Sequence, residues 1–154
     1  MQTLLNDSNG FPMSHLTKSF KIIPRDFVRA GEVSIEVQGL LKTIGFDAEL
    51  IRRASVCAYE AEMNVVMHGG EGTFSLVVDT DMITMDVGDD GPGIEDIELA
   101  LKAGYSTAPP EHRELGFGAG MGLPNIKKNA DFLEINCEKG KGTHLKICFK
   151  VTGN

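Results

Sequence analysis

Residues Glu60 to Gly69 read E-A-E-M-N-V-V-M-H-G, and this stretch decides how the rest of the chain is read. Leu50, Ala54, Cys57, Ala58, Ala61 and Val65 recur at helical spacing on its N-terminal side and through it, so it is the C-terminal half of an amphipathic helix that starts after Asp47 and stops at Gly69-Gly70. Its polar residues stand in an unusual place. Glu60, Asn64 and His68 fall at i, i+4 and i+8, which stacks them in one ridge beside the buried stripe instead of on the opposite, solvated face.

Upstream, Leu16, Phe20 and Ile22 share one parity and predict a half-buried strand over His15 to Ile23, ended by Pro24. Asp26 offers an N-cap for a first helix, in which Ala30, Val33, Val37, Leu40, Leu41 and Ile44 recur at helical spacing before Gly45 takes the left-handed C-terminal position. Downstream, Thr73 to Asp79 and Met82 to Asp89 form an antiparallel hairpin about Thr80-Asp81. A short helix follows over Glu95 to Ala103, then a long irregular stretch to Gly122, a length usual for a functional lid or a disordered segment. A helix over Leu123 to Ala130 tolerates Pro124 in its first turn, and Phe132 to Glu138 with Thr143 to Val151 makes a last hairpin. This order predicts an α+β fold: a two-layer sandwich whose mixed, mostly antiparallel sheet carries its helices on one face. Residues 1–13 read as a flexible lead and 14–151 as a single domain.

The 154 residues suffice for one hydrophobic core without disulfide or structural metal. With 15 basic against 22 acidic residues the net charge is −7, which argues against nucleic acid as a partner, since phosphate binding there needs a basic face. A polyphosphate ligand would have to be held by local backbone amides and a cation. Three cysteines at no metal-ligand spacing read as reduced thiols. No secretory leader or membrane-length apolar run is visible in the sequence, so a cytoplasmic location is expected.

Two glycine-rich stretches bear on chemistry. V-G-D-D-G-P-G-I, Val87 to Ile94, ends a strand and sets Asp89 ahead of Gly91 and Gly93. A tight turn accounts for it; so does a pocket in which the carboxylate accepts a hydrogen bond from the exocyclic amine of adenine, an edge at which guanine has no donor. G-F-G-A-G-M-G, Gly116 to Gly122, precedes a helix. It is either a hinge or a phosphate loop in which free amides and the helix dipole attract oxygens. It is no Walker A loop, because no Lys-Ser or Lys-Thr follows, and no Rossmann turn, because no strand precedes it. Asn64 is a suitable hard ligand for Mg²⁺, and Glu60, one turn earlier, is suited to accept a proton from a water or hydroxyl attacking a γ-phosphate. His68 alone would be read as a satisfied core contact.

Taken together, E-A-E-M-N-V-V-M-H-G (Glu60 to Gly69), D-D-G-P-G-I (Asp89 to Ile94), G-F-G-A-G-M-G-L (Gly116 to Leu123) and G-K-G-T (Gly140 to Thr143) resemble, in order, the N, G1, G2 and terminal boxes of the GHKL (Bergerat-fold) ATPase superfamily. The resemblance spans roughly residues 14–150 and is nearest to the bacterial anti-sigma factors that are also serine-protein kinases. The histidine four residues after Asn64, the following Gly69 and the Y-S-T of Tyr105 to Thr107 favour that branch. It implies ATP or ADP and Mg²⁺ as cofactors, Glu60 as catalytic base and Asn64 as metal ligand. His68, Asp89, Gly91, Gly93 and Thr143 would join the nucleotide pocket, with Gly118, Gly120 and Gly122 on the phosphates under a lid over 104–122. A-P-P-E-H-R-E-L, Ala108 to Leu115, departs from the family pattern and leaves Arg113 without an assigned role. The implied partners are a STAS-domain antagonist, a sigma factor or phosphatase, and a second copy of the chain. Two rival activities remain: a partner-switching module that binds ATP without phosphoryl transfer, and a histidine-kinase-like domain acting in trans.

Overall fold

The computed structural model describes residues 5–6, 12–13, 16–102, 122–138 and 140–151. Two short strands, β1 (Leu5–Asn6) and β2 (Pro12–Met13), pair antiparallel with each other. The main sheet has five strands: β3 (Leu16–Ile22), β4 (Gly72–Val78), β5 (Met82–Asp89), β6 (Phe132–Glu138) and β7 (Gly142–Lys150). They lie in the order β3-β4-β5-β7-β6, antiparallel at every pairing. The helices are α1 (Glu32–Ile44), α2 (Ala48–His68), α3 (Ile97–Ala100) and α4 (Gly122–Asn129). The α+β sandwich expected from the sequence is the observed architecture, and among the described residues no helix is long and apolar enough to cross a membrane.

Strict alternation builds the inner face of the sheet. Leu16, Val78, Ile83 and Phe149 form one row across the strands, and Phe20, Phe74, Val87 and Leu145 form another. Phe74, Ile83, Met85, Ile147 and Phe149 are fully buried under the helices, whose contribution is Val37, Leu41, Ala54, Cys57, Ala58 and Ala61. Lys18 occupies an inner position at the sheet edge, where its ammonium lies 3.3 Å from Glu36 of α1 and 5.4 Å from the centre of the Phe20 ring.

Two helix starts contrast. Asp47 caps α2 in the ordinary way, its carboxylate accepting from the Leu50 N–H at 2.9 Å. The Asp26 cap expected for α1 serves a turn instead, accepting from Arg29 N–H at 3.3 Å, and the helix begins only after Gly31, which sits at φ 99°. Its first amides are satisfied from another helix. The buried carboxylate of Glu62, on α2, accepts from the N–H groups of Gly31 (3.0 Å), Val33 (3.3 Å) and Ser34 (3.0 Å). At its other end α1 stops at Gly45 in the left-handed region, as expected.

The three cysteines are free. Cys137 stands opposite Thr143 and Cys148 opposite Phe132 in the β6–β7 ladder, so the two thiols of that hairpin do not face each other.

Candidate functional site

Asp89 is the last residue of the central strand β5 and keeps the inward parity of Ile83, Met85 and Val87. Alternation therefore turns a carboxylate toward the helix layer just where the apolar row runs out. There it meets the end of α2. Asp89 Oδ1 accepts from the backbone N–H of Gly70 at 3.1 Å and of Gly91 at 2.8 Å. Among the described residues both of these bonds use the same oxygen, so that Oδ2 is the atom a ligand could engage.

The glycines around it allow this approach. A side chain on Gly91 would strike Gly69, Gly70 and the Asp89 carboxylate, and Gly142, at φ 105°, passes so close to the Asp89 carbonyl that no Cβ fits. Gly93, also at positive φ, packs against Glu138, and Gly140 N–H donates to the Pro92 carbonyl at 2.8 Å. Thr143 is the cross-strand neighbour of Asp89, on the same face of the sheet. The loop from Asp89 to Gly93 is thus clasped between the Gly69-Gly70 turn and the β6–β7 turn.

The ridge of α2 faces α4, and the two helices run antiparallel. Arg53 donates to the Asn129 carbonyl at 2.8 Å, Cys57 Sγ lies 3.7 Å from the Ile126 carbonyl, and Asn125 Nδ2 donates to Glu60 Oε2 at 3.0 Å. At the start of α4, a Cβ placed on Gly122 would lie 3.2 Å from Asn64 Oδ1 and 3.6 Å from Glu60 Oε1. Glu60, Asn64 and His68 are all half-buried. They line about 12 Å of helix, given the rise per residue, with the Asp89 loop at the His68 end and Gly122 at the Glu60 end.

An elongated ligand with a flat, amine-bearing head and an anionic tail matches this layout. Asp89 Oδ2 would receive the amine. The first amides of α4 and the positive end of its dipole would receive the tail. The side-chain oxygen of Asn64, next to that tail, is a hard donor that Mg²⁺ would take alongside phosphates and water. Gly118 and Gly120 lie outside the described residues, as does nearly all of the lid.

The charge on Glu60 is felt by its neighbours. Burial pushes the Cys57 thiol up to about 12, an effect moderated by Arg53 and reinforced by Glu60. The Tyr59 hydroxyl is raised as well, by burial first and then by Glu60 and Glu62. Along the other side of α2 runs an open groove of about 770 Å³, bounded by Gln38 and Lys42 of α1, by Ser55, Val56 and Tyr59 of α2, and by Glu60 at one end. Glu60 therefore borders both the α4 side and this groove.

Two residues of this neighbourhood escape a sequence reading. Asn125 gives no local sign that it will meet a carboxylate 65 positions away. Glu62 does carry a sign: it falls between Ala58 and Val66 on the buried stripe, where a carboxylate must have buried donors.

Comparison with known proteins gives the family and the likeness of fold. The family model described as histidine kinase-, DNA gyrase B-, and HSP90-like ATPase matches residues 48–153. An anti-sigma F factor of Clostridium acetobutylicum is 32% identical over 102 residues, covering 63% of this chain and 68% of that protein. The serine/threonine-protein kinase RsbT of Bacillus subtilis is 26% identical over 113 residues, covering 71% and 79%. Among solved structures, a mycobacterial sensor histidine kinase, MprB, aligns over 88% of this chain and 97% of its own with a TM-score of 0.50 at 15% identity, a likeness of fold.

Proposed function

The chain belongs to the histidine kinase-, DNA gyrase B-, and HSP90-like ATPase family, and within it we propose a cytoplasmic, anti-sigma-type protein kinase that moves the γ-phosphate of ATP to a serine or threonine of a STAS-domain partner. The likeness to an anti-sigma F factor and to a serine/threonine-protein kinase supports this branch. The observation that carries the reading is the position of Glu60. Its carboxylate sits one turn before Asn64 on the same ridge, against the start of α4, with one oxygen held by Asn125. A module that only bound nucleotide would have no use for a carboxylate beside the phosphates, where it repels them.

In this mechanism Asp89 Oδ2 accepts from the adenine amine, with Thr143 beside it and Gly91 and Gly93 leaving room for the ring. His68, in the last turn of α2, borders the same pocket. Gly118, Gly120 and Gly122 offer amides to the phosphates. Asn64 would hold Mg²⁺, which when bound would neutralise charge on the phosphate oxygens. Glu60 takes the proton of the acceptor hydroxyl as its oxygen attacks the γ-phosphorus. The phosphorylated partner and the free kinase then differ in what they bind, such as a sigma factor or phosphatase, and pairing with a second copy of the chain belongs to the same proposal.

The test is labelling of a STAS-domain protein with γ-labelled ATP. Glu60→Gln should bind Mg-ATP about as well as the native chain yet lose transfer by roughly 100-fold or more, the scale of a general base. Undiminished labelling would remove Glu60 from the chemistry. An acid-labile phosphoprotein would indicate transfer to histidine instead.

A further inference from the structure

Asn125 has no part in nucleotide binding as described above, yet the helix that carries it is tied to its surroundings at several points. It stands in the first turn of α4, and that helix is tied to α2 at its far end by Arg53 through the Asn129 carbonyl (2.8 Å) and midway by Cys57 on the Ile126 carbonyl (3.7 Å). Asn129 Nδ2 donates to the Asn125 carbonyl at 2.8 Å. Arg53 also lies 3.5 Å from Asp131 and over the Phe149 ring, so the anchor is itself packed into the core. The Asn125 side chain then donates to Glu60 Oε2 at 3.0 Å.

That bond makes the two carboxylate oxygens unequal. Oε2 is engaged by an amide, while Oε1 is directed to the start of α4, 3.6 Å from where a Cβ on Gly122 would stand. We propose that Asn125 is a positioning residue for phosphoryl transfer: it holds Glu60 so that Oε1 alone is presented to the attacking hydroxyl. The proposal rests on Glu60 being the base. In the step it serves, the acceptor O–H bond breaks and its proton goes to Oε1, and the hydroxyl oxygen forms the new bond to the γ-phosphorus. The bond from that phosphorus to the bridging oxygen breaks, and ADP leaves with the electron pair.

An amide suits this post better than the alternatives. It donates without competing for the proton, whereas an aspartate would repel Glu60 and a lysine would neutralise it and lower its basicity. Because α4 carries both Asn125 and the Gly122 end of the glycine-rich segment, the base and the phosphate-facing amides move as one body. This is the preorganisation that a site built on a packed helix can supply.

The experiment measures γ-phosphate release from Mg-ATP to water and, separately, the dissociation constant of Mg-ATP. Asn125→Ala and the isosteric Asn125→Asp should lower kcat about 10- to 100-fold, and in Asn125→Ala, which adds no charge, affinity should stay within about twofold, since a loss confined to the transition state does not touch ground-state binding. In a Glu60→Gln background the Asn125→Ala loss should vanish, because a residue acting only through Glu60 has nothing left to orient. Retention of kcat within twofold in the Asn125 variants, or a loss that persists in full in the Glu60→Gln background, overturns the proposal. If Glu60→Gln itself keeps the native kcat, the base assignment falls with it; if Glu60→Gln is inactive and Asn125→Ala is not, only the role of Asn125 falls.

Discussion

Asp89 divides its work between its two oxygens. Oδ1 satisfies the amides of Gly70 and Gly91, while Oδ2 is the oxygen that reads the ligand in the proposed function. Asp89→Asn can keep the first function, because a carboxamide oxygen still accepts both bonds, but the same rotamer turns an NH₂ group toward the adenine amine. Donor then meets donor. The expected outcome is a fold of nearly native stability with Mg-ATP affinity down about 10- to 100-fold, the cost of a lost charge-assisted bond, measured by titration calorimetry. Unchanged affinity would remove Asp89 from adenine recognition. At this scale the sequence is informative where the physics is local. The i, i+4 ridge follows from helical repeat, and the inward Asp89 follows from strand alternation. The Glu60–Asn125 bond follows from neither, since it depends on how α4 is laid along α2, a tertiary fact with no periodic signature.

The helices repeat the lesson at the scale of elements. The apolar repeat, Asp47 and Gly69 mark α2 correctly, because its caps are its own neighbours in the chain. The start of α1 is misplaced by a reading that takes Asp26 as its cap, because the acceptor for its first turn is Glu62, on a different helix. The short α3 is similar: the helical pattern from Glu95 to Ala103 yields a described helix only at Ile97–Ala100, begun by Asp96, which accepts from Leu99 N–H at 3.0 Å. Glu62 is 2% exposed and joins α1 to α2, so Glu62→Ala strands several buried amides at once. Destabilisation of about 3 kcal/mol or more is expected from unsatisfied buried donors and a lost charge-assisted network, read from urea unfolding with unchanged m-value. A loss below about 1 kcal/mol would mean that water or a shift of α1 replaces the carboxylate. Glu62→Gln, which keeps one acceptor oxygen, should fall between the two.

For the molecule as a whole, the α2–α4 seam couples the site to global stability through pH. Cys57 lies in that seam, fully buried, and its thiol is raised to about 12 from 9.0, first by burial and further by Glu60, against a lowering by Arg53. Below pH 9 the folded and unfolded chains both keep this proton, so the group adds no pH dependence. Between pH 9 and about 12 the unfolded chain releases it while the folded chain holds it, and stability must fall as pH rises, by up to about 1.4 kcal/mol per unit. Tyr59, raised mainly by burial, acts in the same direction with less weight because it is 40% exposed. Replacing Cys57 by Ala removes its share of the slope but costs about 1 kcal/mol at neutral pH for the small cavity. The native unfolding free energy should therefore fall relative to that of Cys57→Ala as pH is raised from 8, the two meeting near about pH 10 and Cys57→Ala becoming the more stable toward pH 11, since every other titrating group is common to both chains. Curves that stay parallel over that range would show that the Cys57 thiolate finds solvent in the folded state, and hence that the α2–α4 seam opens more readily than its contacts with Ile126 and Asn129 imply.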